Sequence, residues 1–257
     1  MGETMKKFLI LLSMLFCGTA YAQTETLNWY MDGNVYATTT CESGNDILLP
    51  TTPTKRGYTF KGWLSYTPIE YLEGTGTQWF DTGYKPNSNT RIEYDLMISK
   101  ADNGIDDGTT SFEMGSRVAY HNKVFCSMFY TNSRFRFMYG SNDFSDRDIS
   151  INTKHSIIMY SSGRCYVDGI LQYNYNQENI DNNFNIYVFK YNNGGTPVGG
   201  GRGKLYYFKI YDNDVLVRDF IPVIDNNEIP CMFDKVESKF YYNAGTGQFI
   251  AGPVIGE

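Results

Sequence analysis

The stretch Lys154–Tyr173, K-H-S-I-I-M-Y-S-S-G-R-C-Y-V-D-G-I-L-Q-Y, constrains the fold of this chain more than any other. The apolar runs Ile157–Tyr160 and Cys165–Val167 flank Ser161-Ser162-Gly163-Arg164, and Asp168-Gly169 leads into a third run. Asp-Gly between apolar segments signals a hairpin, because both central residues of a type I′ turn need positive φ. Three antiparallel strands therefore meander through about twenty residues. Neighbouring segments can pack on such a sheet, which places it at the expected centre of one large β domain.

Other segments carry the same pattern. Ile69 and Tyr71 alternate with charged neighbours, and Ile92, Tyr94, Leu96 and Ile98 alternate with Glu93, Asp95 and Met97, as half-buried strands do. Further strands are predicted at Ser111–Met114, Val124–Tyr130, Phe135–Tyr139, Asn185–Tyr191, Lys204–Tyr211 and Val215–Pro222. Turns are rich in Asn, Asp and Gly, and no stretch sustains a helical period. Many short strands at regular spacing predict an all-β antiparallel chain, a sandwich or a jelly roll. Aromatics make up 16% of the 257 residues, a richness that suits pleated, half-buried surfaces. That length holds one large or two modest domains.

Charge excludes some partners. The formal net charge is -6 and no basic block occurs, so nucleic acid, whose binding needs clustered Lys and Arg, is not an expected partner. At the N-terminus Lys6 and Lys7 precede the apolar run Phe8–Phe16, and Ala20-Tyr21-Ala22 supplies a small-x-small site before Gln23. This is the pattern of a cleaved export leader over residues 1–22. Its apolar run is shorter than the roughly twenty residues of a membrane span. The expected location is therefore the cell envelope, the cell surface or the medium, with no transmembrane span after cleavage.

Export changes how the cysteines read. Cys17 leaves with the leader, and Cys41, Cys126, Cys165 and Cys231 enter an oxidising compartment. Four cysteines allow three disulfide pairings, and free buried thiols are the alternative. Their long spacings contain no C-x-x-C, which argues against zinc.

Residues 27–63 form a first unit. Trp29-Tyr30-Met31 and Val35-Tyr36-Ala37 flank the turn Asp32-Gly33-Asn34, and the unit ends in P-T-K-R-G-Y-T-F-K-G-W, residues 53–63. That ending resembles the signature of the Listeria–Bacteroides repeat, the internalin-B type of bacterial surface proteins. The resemblance implies a small β-grasp-like module that spaces or presents other domains at the envelope, present here in one copy over residues 23–66. A unit of this size buries little apolar surface, so Trp29, Tyr58, Phe60 and Trp63 are expected to form its core. Leu64–Pro68 is expected to be a linker.

Residues 69–253, within an expected domain of residues 67–257, carry a second resemblance. The hairpin H-S-I-I-M-Y-S-S-G-R-C-Y-V-D-G resembles the laminin-G/concanavalin A-like jelly roll. The opening E-Y-L-E-G-T-G-T-Q-W-F-D-T-G-Y-K-P and the closing F-Y-Y-N-A-G-T-G-Q-F-I-A-G-P resemble the ends of its version in bacterial and phage surface proteins. The resemblance implies a two-sheet antiparallel jelly-roll sandwich with curved sheets, and a carbohydrate or cell-surface protein as partner. Such a fold also hosts enzymes and purely structural domains, so function has to be argued from the site.

Catalysis has little support. Retaining glucanases of this fold align acids on one strand, with the working carboxyls about 5 Å apart. Glu93 and Asp95 share a strand face, but Met97 and Ile98 stand where a third acid belongs. No Ser or Cys nucleophile has a recognisable context with His121 or His155, and His155 opens a strand as a structural residue would. Asn192–Gly203, N-N-G-G-T-P-V-G-G-G-R-G, fails as a phosphate loop because Lys204 is followed by Leu205 and a strand. No cofactor is expected. Asp102–Gly108 is an acidic turn without alternating oxygen ligands, and calcium stays open only through ligands from separate loops. A sugar site needs flat aromatic faces and planar amides. Trp79, Tyr139, Tyr173, Tyr175, Asn192 and Asn193 are of those types near turns or strand ends.

Overall fold

The computed structural model describes residues 8–11, 24–31, 34–42, 45–56, 63–98, 110–130, 132–141 and 145–255. Among them every regular element is a strand. In chain order the strands are β1 Phe8–Leu11, β2 Thr24–Met31, β3 Asn34–Glu42, β4 Trp63–Pro68, β5 Leu72–Thr75, β6 Phe80–Asp81, β7 Thr90–Met97 and β8 Thr110–Arg117. Then come β9 Val124–Tyr130, β10 Arg134–Gly140, β11 Arg147–Asp148, β12 Lys154–Tyr160, β13 Arg164–Val167, β14 Ile170–Asn174 and β15 Tyr187–Val188. The last are β16 Tyr191–Asn193, β17 Thr196–Val198, β18 Arg202–Asp212, β19 Val215–Asp225, β20 Pro230–Asp234, β21 Lys239–Tyr241 and β22 Ile250–Ala251.

They form a sandwich of two sheets. The large sheet runs β14-β13-β12-β7-β18-β19-β4-β1-β2-β3, and the small one runs β11-β10-β9-β8-β15-β6 with β16 added to β8 and β17 to β16. Strand alternation builds the core between them. On β7 the side chains of Ile92, Tyr94 and Leu96 point inward, and on β9 and β10 those of Phe125, Phe129, Phe135 and Phe137 meet them in one cluster. Each fully buried Phe contributes about 1.5–3 kcal/mol. The Tyr94 hydroxyl crosses the layer to Ser127 Oγ at 2.7 Å, so this buried pair of polar groups is satisfied.

The D-G hairpin forms as its turn chemistry demands: Asp168 has φ 50° and Gly169 φ 76°. It sits at the sheet edge, not the centre, because β12 pairs onward with β7 while β14 ends the sheet. The central pair is β7 and β18, longer strands that lack a turn signature of their own. His155 is structural. Its Nδ1 lies 2.6 Å from Asp168 Oδ2 and its Nε2 2.8 Å from the Ser150 carbonyl, while Asp168 Oδ1 accepts from the Ser156 amide.

The opening and closing motifs close the domain on itself. β22 pairs with β5, the Ala244 amide donates to the Trp79 carbonyl at 2.8 Å, and Gln78 Nε2 donates to the Gln248 carbonyl at 2.9 Å. Leu64–Pro68, the expected linker, belongs to β4, which pairs with β19 and so continues the large sheet. From β4 the sheet passes through β1 to the hairpin β2–β3, where Trp29 is fully buried beside Leu27 and donates from Nε1 to Thr39 Oγ1. Of the predicted leader, Phe8–Leu11 falls among the described residues, as β1. Tyr58, Phe60 and the acidic turn at 102–108 lie outside them.

The small sheet departs from simple alternation. β9 is buried along both faces as far as Met128 and Phe129, because its outward residues Val124, Cys126 and Met128 are covered by Tyr191 and Val198 of the hairpin β16–β17. This explains why Val124–Tyr130 reads as a nearly continuous apolar run. A sequence expectation of one strand over Asn185–Tyr191 becomes two short strands, with Phe189 at φ 70° between them.

Candidate functional site

Two loops meet at one end of the small sheet. β8 and β9 are joined by a tight turn in which the Val118 amide donates to the Asn122 carbonyl at 3.2 Å and the Asn122 amide to the Ala119 carbonyl at 3.1 Å. His121 and Lys123 hold φ of 56° and 50° there. Non-glycine residues in this region are uncommon and point to a loop whose shape is fixed by its surroundings. The second loop, residues 175–186, leaves β14 and returns to the sheet at β15.

Asn182 fastens one loop to the other. It is buried, its Nδ2 donates to the Lys123 carbonyl and Ser116 Oγ, both at 3.3 Å, and its Oδ1 accepts from the Phe184 amide at 2.9 Å. The Asp181 amide in turn donates to Asn179 Oδ1 at 2.8 Å. Between the loops lies a pocket of about 520 Å³, lined by Val118, Asn122, Lys123, Asp181, Asn182, Asn183 and Phe184. That volume lies within the roughly 300–1,000 Å³ of small-ligand sites. Asn122, Asp181 and Asn183 are exposed, and Lys123 and Phe184 half-buried. The lining therefore offers planar amides, one carboxylate, one ammonium and one aromatic ring, which match a hydroxyl-rich ligand with an apolar ring face.

One wall of the pocket rests on the hairpin β16–β17. The Gly194 amide donates to the Arg117 carbonyl at 3.0 Å, and a Cβ on Gly195 would lie 3.7 Å from the Phe184 ring. Arg117 binds the hairpin by donating from Nε to Asn193 Oδ1 at 2.9 Å. Its guanidinium also lies 5.4 Å from the centre of the Tyr120 ring in the β8–β9 turn.

The structure divides the six residues predicted from sequence. Tyr139 and Tyr173 are buried core residues, and burial pushes both hydroxyls' pKa up. Tyr139 donates to the Ser161 carbonyl at 2.6 Å, and Tyr173 to the Phe135 carbonyl at 2.7 Å. Half-buried Tyr175 stacks against both rings. Neither buried ring has a face that a sugar reaches. Asn192 is buried too, tied to the Asn185 carbonyl and the Gly195 amide. Trp79 packs 4.4 Å from Tyr187, on another part of the small sheet. Asn192 and Asn193 adjoin the pocket from the hairpin β16–β17, Asn192 through the Gly195 amide and Asn193 through Arg117.

The pocket residues escaped the sequence reading because Asn and Asp are frequent in every turn of this chain. The run N-I-D-N-N-F, residues 179–184, was their one visible trace. The two candidate acids are ion-paired on the outer face of the large sheet, Glu93 with Arg91 and Asp95 with Lys154 at 3.2 Å. Of the two readings open for Cys41, Cys126, Cys165 and Cys231, disulfides or free thiols, the structure has free thiols, with Cys126, Cys165 and Cys231 buried.

Comparison with known proteins gives one family match: residues 26–92 match the Listeria-Bacteroides repeat domain. The matched span runs past the repeat unit expected from the sequence and through β4 to β7. No curated protein matches the chain. Among solved structures, one from Bacteroides ovatus ATCC 8483, described as a "putative carbohydrate binding protein", aligns with a TM-score of 0.48 at 10% identity. The alignment covers 93% of this chain and 71% of that one. A Trypanosoma rangeli sialidase in complex with the inhibitor DANA aligns with a TM-score of 0.36 at 12% identity, over 65% of this chain and 32% of the sialidase. A second structure of that sialidase gives 0.38 at 11% identity, over 76% and 40%. This chain thus spans less than half of the sialidase. At these scores the structural likenesses assign neither ligand nor activity.

Proposed function

We propose that this chain is an exported, non-catalytic envelope or surface protein that binds carbohydrate in the pocket between the β8–β9 turn and the 175–186 loop. In this reading the leader is residues 1–22, the repeat-like unit residues 23–66, and the sandwich, residues 67–257, a laminin-G/concanavalin A-like jelly roll. The observation that carries it is the pocket lining, three asparagines, an aspartate, a lysine and a phenylalanine around about 520 Å³. The exposed Asn122, Asp181 and Asn183 hydrogen-bond sugar hydroxyls, and Phe184 packs on the apolar face of a ring. Recognition then rests on shape, stacking and amide hydrogen bonds, without bond cleavage. Non-catalytic action is supported by the pairing of Glu93 and Asp95 with cations and by Met97 at the next outward position of β7.

A glycan array followed by titration calorimetry tests this. Wild type binds at least one glycan, and Asn183→Ala combined with Asp181→Ala weakens that binding at least tenfold. The match to the Listeria-Bacteroides repeat domain over residues 26–92 supports a second reading, in which the chain presents itself to a cell-surface protein partner. Binding to no glycan, together with capture of one specific surface protein, selects that reading instead.

A further inference from the structure

Glu113 is a charged residue in an unusual place. It sits on β8 facing away from the core, yet it is only 3% exposed, because the glycine-rich connection between β17 and β18 lies over it. A Cβ on Gly199 would fall 0.9 Å from Glu113 Oε2, and Gly199 holds φ +105°. On both counts only glycine fits. The Gly200 amide donates a hydrogen bond to the Glu113 carboxyl, while Oε2 is buried without a partner.

Several groups face this carboxyl. From β8 comes Arg117, from β9 Cys126 and Tyr130, and from the β15–β16 segment Lys190 and Tyr191. Arg117 turns its Nε and Nη2 donors to Asn193 Oδ1 and the Tyr191 hydroxyl, so its charge acts on the carboxyl only through space. Burial pushes the Glu113 carboxyl up to about 7, against the opposing pull of Arg117, Lys190 and the Gly200 amide. An ionised carboxylate with one donor and a buried, unpaired oxygen is costly. Its cheapest relief is water, admitted by raising the cover. The cover is anchored at its far end, where the Gly76 amide donates to the Gly201 carbonyl at 3.2 Å, whereas β17 pairs with β16 alone among the described strands, so Thr196–Gly200 is its looser part.

We infer that Glu113 and the Thr196–Gly201 segment form a proton-operated latch, which seats the hairpin β16–β17 on the small sheet when Glu113 is protonated and loosens it when Glu113 is ionised. The hairpin reaches the pocket through Gly194 against Val118 and Gly195 against Phe184, so the latch also governs how firmly that wall is held. This consequence rests on the proposed pocket. The latch itself does not.

Hydrogen–deuterium exchange on the whole chain tests it without a ligand. After correction for intrinsic exchange rates, protection of residues 196–203 falls about tenfold between pH 6 and pH 8, one pH unit beyond the midpoint. Residues 181–184 lose protection in parallel. Glu113→Gln, which keeps the shape and removes the titration, stays protected across the range. Gly199→Ala, which displaces the cover sterically, is unprotected at both pH values. A pH-independent wild type, or an unchanged pH response in Glu113→Gln, overturns the latch. If Glu113→Gln does not fold, the wild-type profile decides alone. If glycan binding fails while this exchange pattern holds, the pocket reading falls and the latch stands.

Discussion

Arg117 Nη2 donates to the Tyr191 hydroxyl at 2.8 Å, with the guanidinium 4.6 Å from the centre of the Tyr191 ring. This contact fastens β16 to β8 and holds in place the hairpin that backs the pocket. A hydrogen bond from a charged group is worth about 1.5–3 kcal/mol, and the stacked ring adds to it.

Arg117→Met should therefore destabilise the fold by about 2–4 kcal/mol. It removes the bonds to Tyr191 and Asn193 and also a cation near Glu113. Tyr191→Phe, which loses only the hydroxyl, should cost about 1 kcal/mol. Urea denaturation at pH 6 measures both. Equal effects from the two substitutions contradict this ordering.

Glu113 fixes the sign of a pH dependence. Its carboxyl titrates near 7 in the folded chain, above the ordinary 4.5, because burial disfavours the charge. Below pH 4.5 both states hold the proton and the group is neutral to stability. As pH rises from 4.5 through 7 the unfolded state ionises first, so folding loses up to about 3 kcal/mol, fully expressed above pH 7. Opening of the cover lets the folded state escape part of that loss. Wild type should lose stability between pH 5 and pH 8, and Glu113→Gln should flatten the slope in urea titrations at the two pH values.

The thiols give a third expectation. Burial pushes the thiol pKa of Cys126, Cys165 and Cys231 up, so each stays protonated and unreactive, whereas Cys41 is half-exposed. In a chain of residues 23–257, a thiol reagent such as Ellman's should label one cysteine in the native state and four after denaturation. Fewer than four labelled without reductant would reveal a disulfide.

The framework of this fold was readable in the sequence, because β strands declare themselves by alternation and by turn chemistry. Val124–Tyr130 forms with the predicted ends, and Asp168-Gly169 turns with both φ positive. Longer-range relations were less visible. The D-G hairpin carries the clearest local signal yet occupies a sheet edge, because local turn chemistry says nothing about which strand a hairpin joins. Leu64–Pro68 looked like a linker because of its short length and Pro68, and it became β4 through pairing with residues more than 150 positions away. The site was the least legible. Tyr139 and Tyr173 have the composition of sugar ligands but are buried, while Asn122 and Asn183 look like ordinary turn residues until the fold sets their loops side by side. The glycine run at 199–201 likewise found its meaning only when Glu113 appeared beneath it.

The most direct test of the account is calorimetric titration of the leader-free chain with glycans selected on an array, at pH 6, with and without calcium. Saturable binding of at least one glycan, lost or weakened at least tenfold in the Asp181→Ala, Asn183→Ala double variant, is the predicted result. A folded wild-type chain that binds no glycan under either condition, or a double variant that binds as tightly as wild type, would contradict it.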